Sequence, residues 1–430
     1  MGRLPRAFVA LLVMGGATVG AAAAQPPSTP EPQPIPDPQA SPGSQTAAPP
    51  ATETDRDVFD VLRELRKKPP RTEEYDYKRV MLAIAPVISY NPATGAGLGA
   101  AGNVAFYRGP PVSTQISSMV ASAIATTKGQ VLVNAKLDAS TANNRWSFVG
   151  DNRLYWTSQT TYGLGTSSTT DQAVGVKFDY FRAHETVYRQ LGRNVYAGAG
   201  FLFGIHTNVK PDENSSAAWP DSPYVSYSNE FGFDLNSQTS AGASLHLLYN
   251  SRDSPINPSR GWYASAGYQM FFEGFLGGTS TWQQLNYDLR TYVRLSSNAR
   301  HKLAFWSFGN LVTGGVAPYL DLPATGWDTY GRSGRGYGQG RFRGQRMLYG
   351  EVEYRFTMKK NGLLGMVVFL NTETFSNEQT GERLFDSFAS AAGIGLRVLI
   401  NKHSKTNLAV DFARGQKGEH GIYLAVQEAF

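Results

Sequence analysis

Residues 284–295, QLNYDLRTYVRL, alternate between two kinds of side chain. The odd positions are mostly apolar and the even positions mostly polar: Leu285, Tyr287, Leu289, Val293 and Leu295 against Gln284, Asn286, Asp288, Arg290 and Arg294. Side chains of a β-strand point alternately to opposite faces, so this pattern predicts a strand with one apolar and one polar face. The segment has the length of a strand that crosses a bilayer at a tilt, about ten residues.

The same alternation recurs along residues 79–430. It separates Leu348, Val352, Tyr354 and Phe356 from Glu351, Glu353 and Arg355, and it separates Leu408, Val410 and Phe412 from Asn407 and Asp411. Sixteen candidate strands can be counted, from 81–90 to 421–430, and an even number is typical of single-chain bacterial barrels. We therefore predict an all-β fold, a 16-stranded antiparallel transmembrane β-barrel of the outer-membrane type.

The composition supports a barrel whose outside faces lipid and whose inside is wet. Only 17% of the 430 residues are charged, 45 are Gly and none is Cys, and the mean hydropathy is negative. This is sparse charge for a soluble protein and too polar a chain for a bundle of membrane helices. A soluble β-sandwich is the competing fold. It is disfavoured because 352 residues are too many for one sandwich.

The N-terminal region predicts export to the bacterial outer membrane. Residues 1–24 combine Arg3 and Arg6 with an uncharged stretch and an A-x-A site, the pattern of a signal peptide. Residues 25–54 are Pro-rich and are expected to be a disordered periplasmic tether. Removal of residues 1–24, with two arginines and no acidic residue, takes the net charge from +6 to +4, too small an excess to indicate nucleic acid as a partner.

Residues 55–78 are expected to hold one short amphipathic helix and a linker. Val58, Val61, Leu62 and Leu65 recur with helical spacing after the plausible N-caps Thr54 and Asp55. We favour a helix resting on the rim of the barrel. A plug or a docking segment for a periplasmic partner, within residues 55–68, is the alternative.

Three segments carry motifs. Residues 250–261 are NSRDSPINPSRG and residues 331–344 are GRSGRGYGQGRFRG. The C-terminal part contains Glu353-Tyr354-Arg355, Phe369-Leu370-Asn371 and Gly393-Ile394-Gly395 before the final Phe430. Their order and spacing resemble the BamA/TamA outer-membrane assembly and transport superfamily, also called the bacterial surface antigen family. The resemblance covers residues 79–430.

The resemblance implies roles for particular residues. It places Arg252, Asp253, Pro258 and Gly261 in a periplasmic turn motif. It places Arg335, Gly336 and Tyr337 at the tip of the sixth external loop, where the matching arginine is held by the strand motifs and its loss impairs assembly or transport. Asn371 stands where the family usually has Asp, and a terminal aromatic such as Phe430 resembles the sorting signal of outer-membrane barrels.

The residues themselves also predict an inward loop. Segment 312–345 is unusually long for a link, and Arg335 offers a fork of five donors suited to carboxylates. Strand parity points a set of side chains into the lumen: Glu351, Glu353, Arg355, Phe369, Asn371, Glu373 and Asp411. We expect Arg335 to lie against Glu353 and the Phe369/Asn371 region, with Glu353 or Glu373 supplying the charge that Asn371 lacks. The alternative is a solvated arginine on a Gly-rich loop.

The last candidate strand places Ile422, Leu424, Val426 and Phe430 on one face. A sorting signal and a plain edge strand needed for closure both fit this pattern.

No enzyme, cofactor or metal site is predicted. The six His have no metal-ligand spacing. His246 faces inward beside Ser244, but the chain has no G-x-S-x-G elbow and the sequence identifies no third group.

Two functions remain open from the sequence. The first is assistance with the insertion or translocation of proteins or lipids at the outer membrane, with outer-membrane lipid and unfolded outer-membrane proteins as the expected partners. The second is a passive pore or structural surface barrel. Members of the family usually carry periplasmic POTRA modules, and residues 25–78 are too short and too Pro-rich to hold one, which leaves segment 55–68 as the candidate replacement.

Overall fold

The computed structural model describes residues 56–69, 76–91, 95–296, 300–329 and 331–430. The signal peptide and tether expected for residues 1–24 and 25–54 lie outside these ranges. The described residues form a barrel in which every strand pairs antiparallel with its neighbours in sequence, and β1 meets β16. The predicted fold class, a 16-stranded antiparallel barrel, is confirmed.

The strands agree closely with the predicted segments. They are β1 Met81–Asn91, β2 Gly95–Phe106, β3 Ser117–Thr126, β4 Val131–Ser140, β5 Trp146–Thr161, β6 Val174–Gly192, β7 Val195–Pro211, β8 Gln238–Asn250, β9 Gly261–Phe271, β10 Trp282–Arg294, β11 His301–Gly315, β12 Arg346–Thr357, β13 Leu364–Phe375, β14 Ala389–Asn401, β15 Thr406–Gly415 and β16 His420–Val426. Two α-helices are present in the described residues, α1 Val58–Leu65 and α2 Pro223–Glu230. Neither is long and apolar enough to cross a membrane.

Alternation decides which face of each strand meets lipid. Leu285, Leu289 and Val293 of β10 are 40%, 43% and 44% exposed on the outer face, as the alternation in residues 284–295 predicts. In β12 the charged Glu351, Glu353 and Arg355 are all buried inside the barrel. Apolar exposure combined with charged burial inverts the arrangement of a soluble protein and is typical of a transmembrane barrel.

The two ends of the barrel differ in their links. At the end where β1 begins, which we call the turn end, the links are 107–116, 141–145, 193–194, 251–260, 295–300, 358–363 and 402–405. The opposite end, the loop end, carries the long links 162–173, 212–237 and 316–345. The last of these, residues 316–345, is called the long loop below.

Helix α1 lies at the turn end. It begins after Asp57 rather than at the expected caps Thr54 and Asp55, because Asp57 and Asp60 form a reciprocal capping box. Lys402, in the turn after β14, donates from its Nζ to Asp60 over 2.8 Å and from its backbone N–H to Asp57 over 3.2 Å. These contacts place the helix against the rim of the barrel, and Phe59, Leu62 and Leu65 remain exposed.

The long loop folds back into the lumen. Tyr319, Leu320 and Leu322 are buried in one apolar cluster with the wall residues Phe178 and Tyr180. The α2 residues Tyr224 and Tyr227 belong to the same cluster. Apolar contacts therefore hold the base of the loop against the wall, independently of the polar contacts at its tip.

Candidate functional site

The tip of the long loop carries Arg335, which is 0% exposed. Its Nη1 donates to Asp411 of β15 over 2.6 Å, and its Nη2 donates to both Glu351 and Glu353 of β12. The guanidinium carbon lies 3.6 Å from the ring centre of Phe369 on β13. One side chain thus joins the loop to three strands through charge-assisted hydrogen bonds and a cation–π contact.

The residues that flank Arg335 bring the main chain close to the wall. Gly336 has a φ of +115°, which favours glycine, and a Cβ there would lie 2.6 Å from the Cβ of Ala391. Its N–H donates to the hydroxyl of Tyr423 over 2.9 Å. The Tyr337 hydroxyl donates to the carbonyl of Ser390 over 2.7 Å. Arg335-Gly336-Tyr337 is therefore bound to the wall by side chain and main chain together.

Two glycines of β14 make room for this network. A Cβ on Gly393 would overlap the ring of Phe369, and a Cβ on Gly395 would overlap the carboxylate of Asp411. A glycine in a strand interior weakens the strand and often marks a close approach of another group. Here the groups that approach, the Phe369 ring and the Asp411 carboxylate, both contact Arg335.

The buried charges around Arg335 balance. Ion pairs connect four arginines with four carboxylates: Arg332, Arg335, Arg355 and Arg397 with Glu351, Glu353, Asp411 and Glu428. All eight are buried. Removing one partner of such a buried pair costs about 3–5 kcal/mol, because the remaining charge stays desolvated. The network therefore stabilises the docked loop only while it is complete.

Of the other predicted lumenal residues, Asn371 binds the backbone of the loop at Arg335, whereas Glu373 and Arg355 contact other groups. Asn371 donates from its Nδ2 to the carbonyl of Arg335 over 3.0 Å, so the neutral amide binds the loop backbone. Glu373 is not a partner of Arg335, contrary to one of the two expected choices. It accepts from the hydroxyl of Thr325 over 2.8 Å, because it lies farther toward the loop end of β13. Arg355 contacts Glu353 and the chain terminus.

The sequence does not identify two of the carboxylates that contact Arg335, Glu351 and Asp411. Strand alternation places both on the inner face, but nothing in the pattern distinguishes them from Glu353 or Glu373 as partners of Arg335. The sequence feature that could have identified Asp411 as a partner is a glycine on the neighbouring strand β14. Gly395 is its register partner, and the missing side chain there leaves the space that the Asp411 carboxylate and Arg397 occupy.

The model of the Omp85 superfamily domain matches residues 130–414. The chain belongs to the Omp85 superfamily. This match confirms the resemblance that was inferred from the motifs in residues 250–261, in residues 331–344 and in the C-terminal part.

Solved structures agree on the fold. BamA from Haemophilus ducreyi lacking POTRA domains 1–3 superposes with a TM-score of 0.51 at 15% identity, covering 81% of this chain and 70% of that one. CdiB from Escherichia coli gives a TM-score of 0.51 at 10% identity, covering 83% of this chain and 63% of that one. This chain thus spans less than two thirds of CdiB. No curated protein matches the sequence.

In this Omp85 barrel the rest of the long loop is also tied to the wall. Arg341 donates to Glu419 over 2.6 Å and to Ser168 over 3.2 Å. Arg343 acts within the loop, donating from its Nη1 to the carbonyls of Tyr319 and Leu320 over 2.8 and 3.0 Å. Trp327 donates from its indole nitrogen to the side-chain oxygen of Gln159 on β5 over 3.2 Å. Together with the contacts of Arg335 to β12 and β15, this bond places the loop between opposite parts of the wall.

The turn motif lies at the turn end, between β8 and β9. The Asp253 carboxylate accepts from the Ser259 N–H over 2.8 Å and from Arg294 over 2.9 Å. Arg252 lies over the Tyr263 ring at 4.5 Å, and Pro258 is buried. Gly261 has a φ of +101°, and a Cβ there would overlap the carbonyl of Ser251. These residues fix the shape of a turn whose Ile256 is buried with Ala105 and Ile116 across the barrel mouth.

The chain terminus departs from the expected strand. Strand β16 ends at Val426, and Phe430 does not share the outer face of Ile422. Instead Phe430 is 5% exposed inside the barrel. Its ring centre lies 5.1 Å from that of Trp306 and 4.8 Å from the guanidinium of Arg355. The φ of +87° at Gln427 turns the chain away from the sheet. Glu428 then accepts from Arg397 over 2.7 Å.

Ser244 and His246 are adjacent on the inner face of β8. The His246 Nε2 lies 2.8 Å from the Ser244 hydroxyl. The hydrogen bonds found in the described residues add no carboxylate to this pair, which a Ser-His-Asp arrangement requires. The same part of the chain holds no group of three His, Cys, Asp or Glu placed to bind a metal ion.

Proposed function

We propose that this barrel assists the insertion or translocation of proteins or lipids at the outer membrane, with its turn end in the periplasm. The observation that carries the proposal is the contact between β1 and β16. Among their described residues, the register partners are Tyr90 and Ile422 alone. On its other edge, β1 is paired with β2 from Met81–Ala105 to Asn91–Gly95 without a break.

Apolar packing replaces main-chain pairing in the rest of this seam. Ala83, Ala85 and Val87 of β1 are buried in one cluster with Val426 and with Ile400 of β14. Each lost strand hydrogen bond removes a directional contact, whereas apolar contacts are non-directional and tolerate sliding. The seam is thus the weakest junction of the barrel wall and the natural place for a client strand or a lipid to enter.

Strand β2 supplies flexibility next to the seam. Its sequence from Gly95 to Gly102, GAGLGAAG, lacks large side chains apart from Leu98. Glycine in a strand interior lowers the stability of the strand. A β1–β2 hairpin that bends away from β16 would open the wall without unfolding the remaining strands.

The filled lumen argues against a passive pore. Arg335 and Arg341 hold the long loop across the barrel through buried contacts, and a lumenal cavity of about 250 Å³ lies beside the loop. In the proposed mechanism the docked loop closes the lumen and stiffens β12–β15. Movement is then confined to the seam. We infer no catalytic step.

The candidate partners follow from the same surfaces. Outer-membrane lipid contacts the apolar outer face. Helix α1, with Phe59, Leu62 and Leu65 exposed, is our candidate contact for unfolded outer-membrane proteins or a periplasmic partner.

A reversible lock tests the seam. The chain has no native Cys, so Tyr90→Cys with Ile422→Cys introduces a single pair at register partners, within the Cα spacing that a disulfide spans. The matched control pair is Leu370→Cys with Ala392→Cys, register partners of β13 and β14.

Depletion of this protein in the native host should lower the amount of other outer-membrane barrels or displace lipid to the outer leaflet.

Complementation of that depletion separates the outcomes. We expect the oxidised seam pair to fail, the reduced seam pair to restore the envelope, and the control pair to restore it in both states. A locked seam that complements fully, or an unchanged envelope on depletion, contradicts the proposal and favours the passive barrel.

A further inference from the structure

A cavity of about 150 Å³ opens at the turn end, below the Arg335 network. Its lining contains five cations and one carboxylate: Lys302, Arg355, Arg397, Lys402, Lys405 and Glu428. A space of this size holds a small ligand, since an engineered cavity of the same volume binds benzene. No residue that lines the cavity belongs to β1 or β16, so a ligand here is independent of the proposed function of the seam.

Lys302 and Arg355 face each other in this cavity. They are register partners on β11 and β12. Like charges directly opposite each other on adjacent strands are destabilising. Their juxtaposition therefore calls for an anion that both can contact.

Among the described residues, no carboxylate forms an ion pair with both Lys302 and Arg355. Glu428 accepts from Arg397 over 2.7 Å and from Asn407 over 2.6 Å. Lys402 is paired with Asp60 over 2.8 Å. Arg355 is paired with Glu353, and its Nη2 donates to the carbonyl of Phe430 over 3.0 Å.

Donors remain on both residues. Arg355 is only 3% exposed, and its buried Nη1 has no hydrogen-bond partner within the described ranges. The ammonium of Lys302 donates to the Asn257 amide oxygen over 2.6 Å and to the Pro258 carbonyl over 3.3 Å, both neutral. An ammonium has three donors, so a further one is available. An unsatisfied buried guanidinium nitrogen is costly and points to a ligand.

We propose that this cavity binds a phosphate group between Lys302 and Arg355. A phosphate offers several strong acceptor oxygens, which suits a planar guanidinium on one side and a point-charge ammonium on the other. The phosphate belongs either to a free ion or to a phospholipid headgroup that reaches the mouth of the barrel. The bound group offsets the repulsion between the two cations and joins β11 to β12 at the turn end.

Calorimetry of the purified full chain in a phosphate-free maltoside detergent tests the site. Inorganic phosphate and short-chain dihexanoyl phosphatidylglycerol are titrated separately in chloride buffer at constant ionic strength. We expect saturable binding at one site. Lys302→Gln should weaken it about tenfold or more, and Lys302→Arg should keep it, because the loss of one charge-assisted contact is a loss of this order.

The control is Lys360→Gln, an exposed cation in the turn after β12 that does not line the cavity. It should bind as the wild type does. Binding of both probes assigns the site to the free ion, and binding of the lipid probe alone assigns it to a headgroup. The absence of saturable binding, or an equal loss in the two Lys→Gln variants, overturns the proposal. Should Lys302→Gln not fold, Lys405→Gln removes another cation of the cavity lining, in the turn after β14. It should weaken binding, by less than Lys302→Gln, because it removes charge from the lining and no direct contact; unchanged binding would overturn the proposal.

Discussion

Arg335 and Asp411 are joined by a hydrogen bond of 2.6 Å that connects the tip of the long loop to β15. The loop leaves the wall after β11, so this bond spans four strands of the barrel. Both side chains are fully buried. The docked position of the loop therefore depends on a few desolvated charges, which are costly when incomplete.

Arg335→Ala should release the loop. The change leaves Glu351, Glu353 and Asp411 with fewer cations, a cost of about 3–5 kcal/mol. We expect single-channel conductance in planar bilayers to rise and the loop to become cleavable by protease. Arg335→Lys should resemble Arg335→Ala, since an ammonium cannot reproduce the fork geometry. Arg346→Ala, which removes an exposed ion pair with Glu378, is the control and should leave conductance unchanged. Equal conductance for the wild type and Arg335→Ala would show that the loop is held by its apolar base alone.

Asp411→Asn should disturb the loop more than Glu373→Gln. Asp411 pairs with both Arg335 and Arg397, whereas Glu373 accepts one hydrogen bond from Thr325. Hydrogen bonds to charged groups contribute about 1.5–3 kcal/mol each, so the first change loses more than the second. Loss of thermal stability and gain of conductance, measured on both variants, should rank Asp411→Asn first. The reverse ranking would indicate that Thr325 and not Arg335 is the main attachment of the loop.

The sequence predicts the wall of this barrel far better than its interior. Alternation of apolar and polar residues follows directly from strand geometry, so residues 284–295 identify β10 almost to the residue. Parity also places Glu351, Glu353 and Asp411 inside. It does not say which of them Arg335 contacts, because that choice depends on the height of each residue along the barrel and on the space left by Gly395.

The C-terminus shows a second limit of prediction from sequence periodicity. The alternation of Ile422, Leu424 and Val426 continues to Phe430 in sequence, yet the sheet ends at Val426. The burial of Phe430 against Trp306 and Arg355 is a long-range contact. Local periodicity carries no information about it.

Gly395→Ala should destabilise the barrel although the change is small. The added methyl would overlap the Asp411 carboxylate and lie 2.7 Å from the Nη1 of Arg397. Overpacking of a buried site costs about 1–3 kcal/mol, and here the displaced groups are charged. We expect a lower melting temperature and higher conductance. Gly350→Ala in β12 is the matched control, since no atom lies within 4 Å of a Cβ built there. Equal melting temperatures for the two variants would show that β14 shifts outward to accommodate the methyl group.

Phe430→Ala separates the packing of the terminal ring from its proposed role as a sorting signal. In the folded barrel the ring contacts Trp306, Tyr292 and Arg355. Its removal from a buried site should cost about 3–5 kcal/mol. Refolding of the purified variant in detergent, followed by thermal melting, measures this cost without any assembly machine. Phe430→Leu should recover most of the stability, because it restores apolar volume.

The location of Phe430→Leu in host cells tests whether the terminal ring is also a sorting signal. A terminal aromatic that is buried after folding is accessible to an assembly machine only in the unfolded chain. If the ring is a sorting signal, Phe430→Leu should refold well in detergent yet accumulate outside the outer membrane in cells. Assembly of Phe430→Leu at the wild-type level, together with poor folding of Phe430→Ala in detergent, would assign Phe430 to lumenal packing alone.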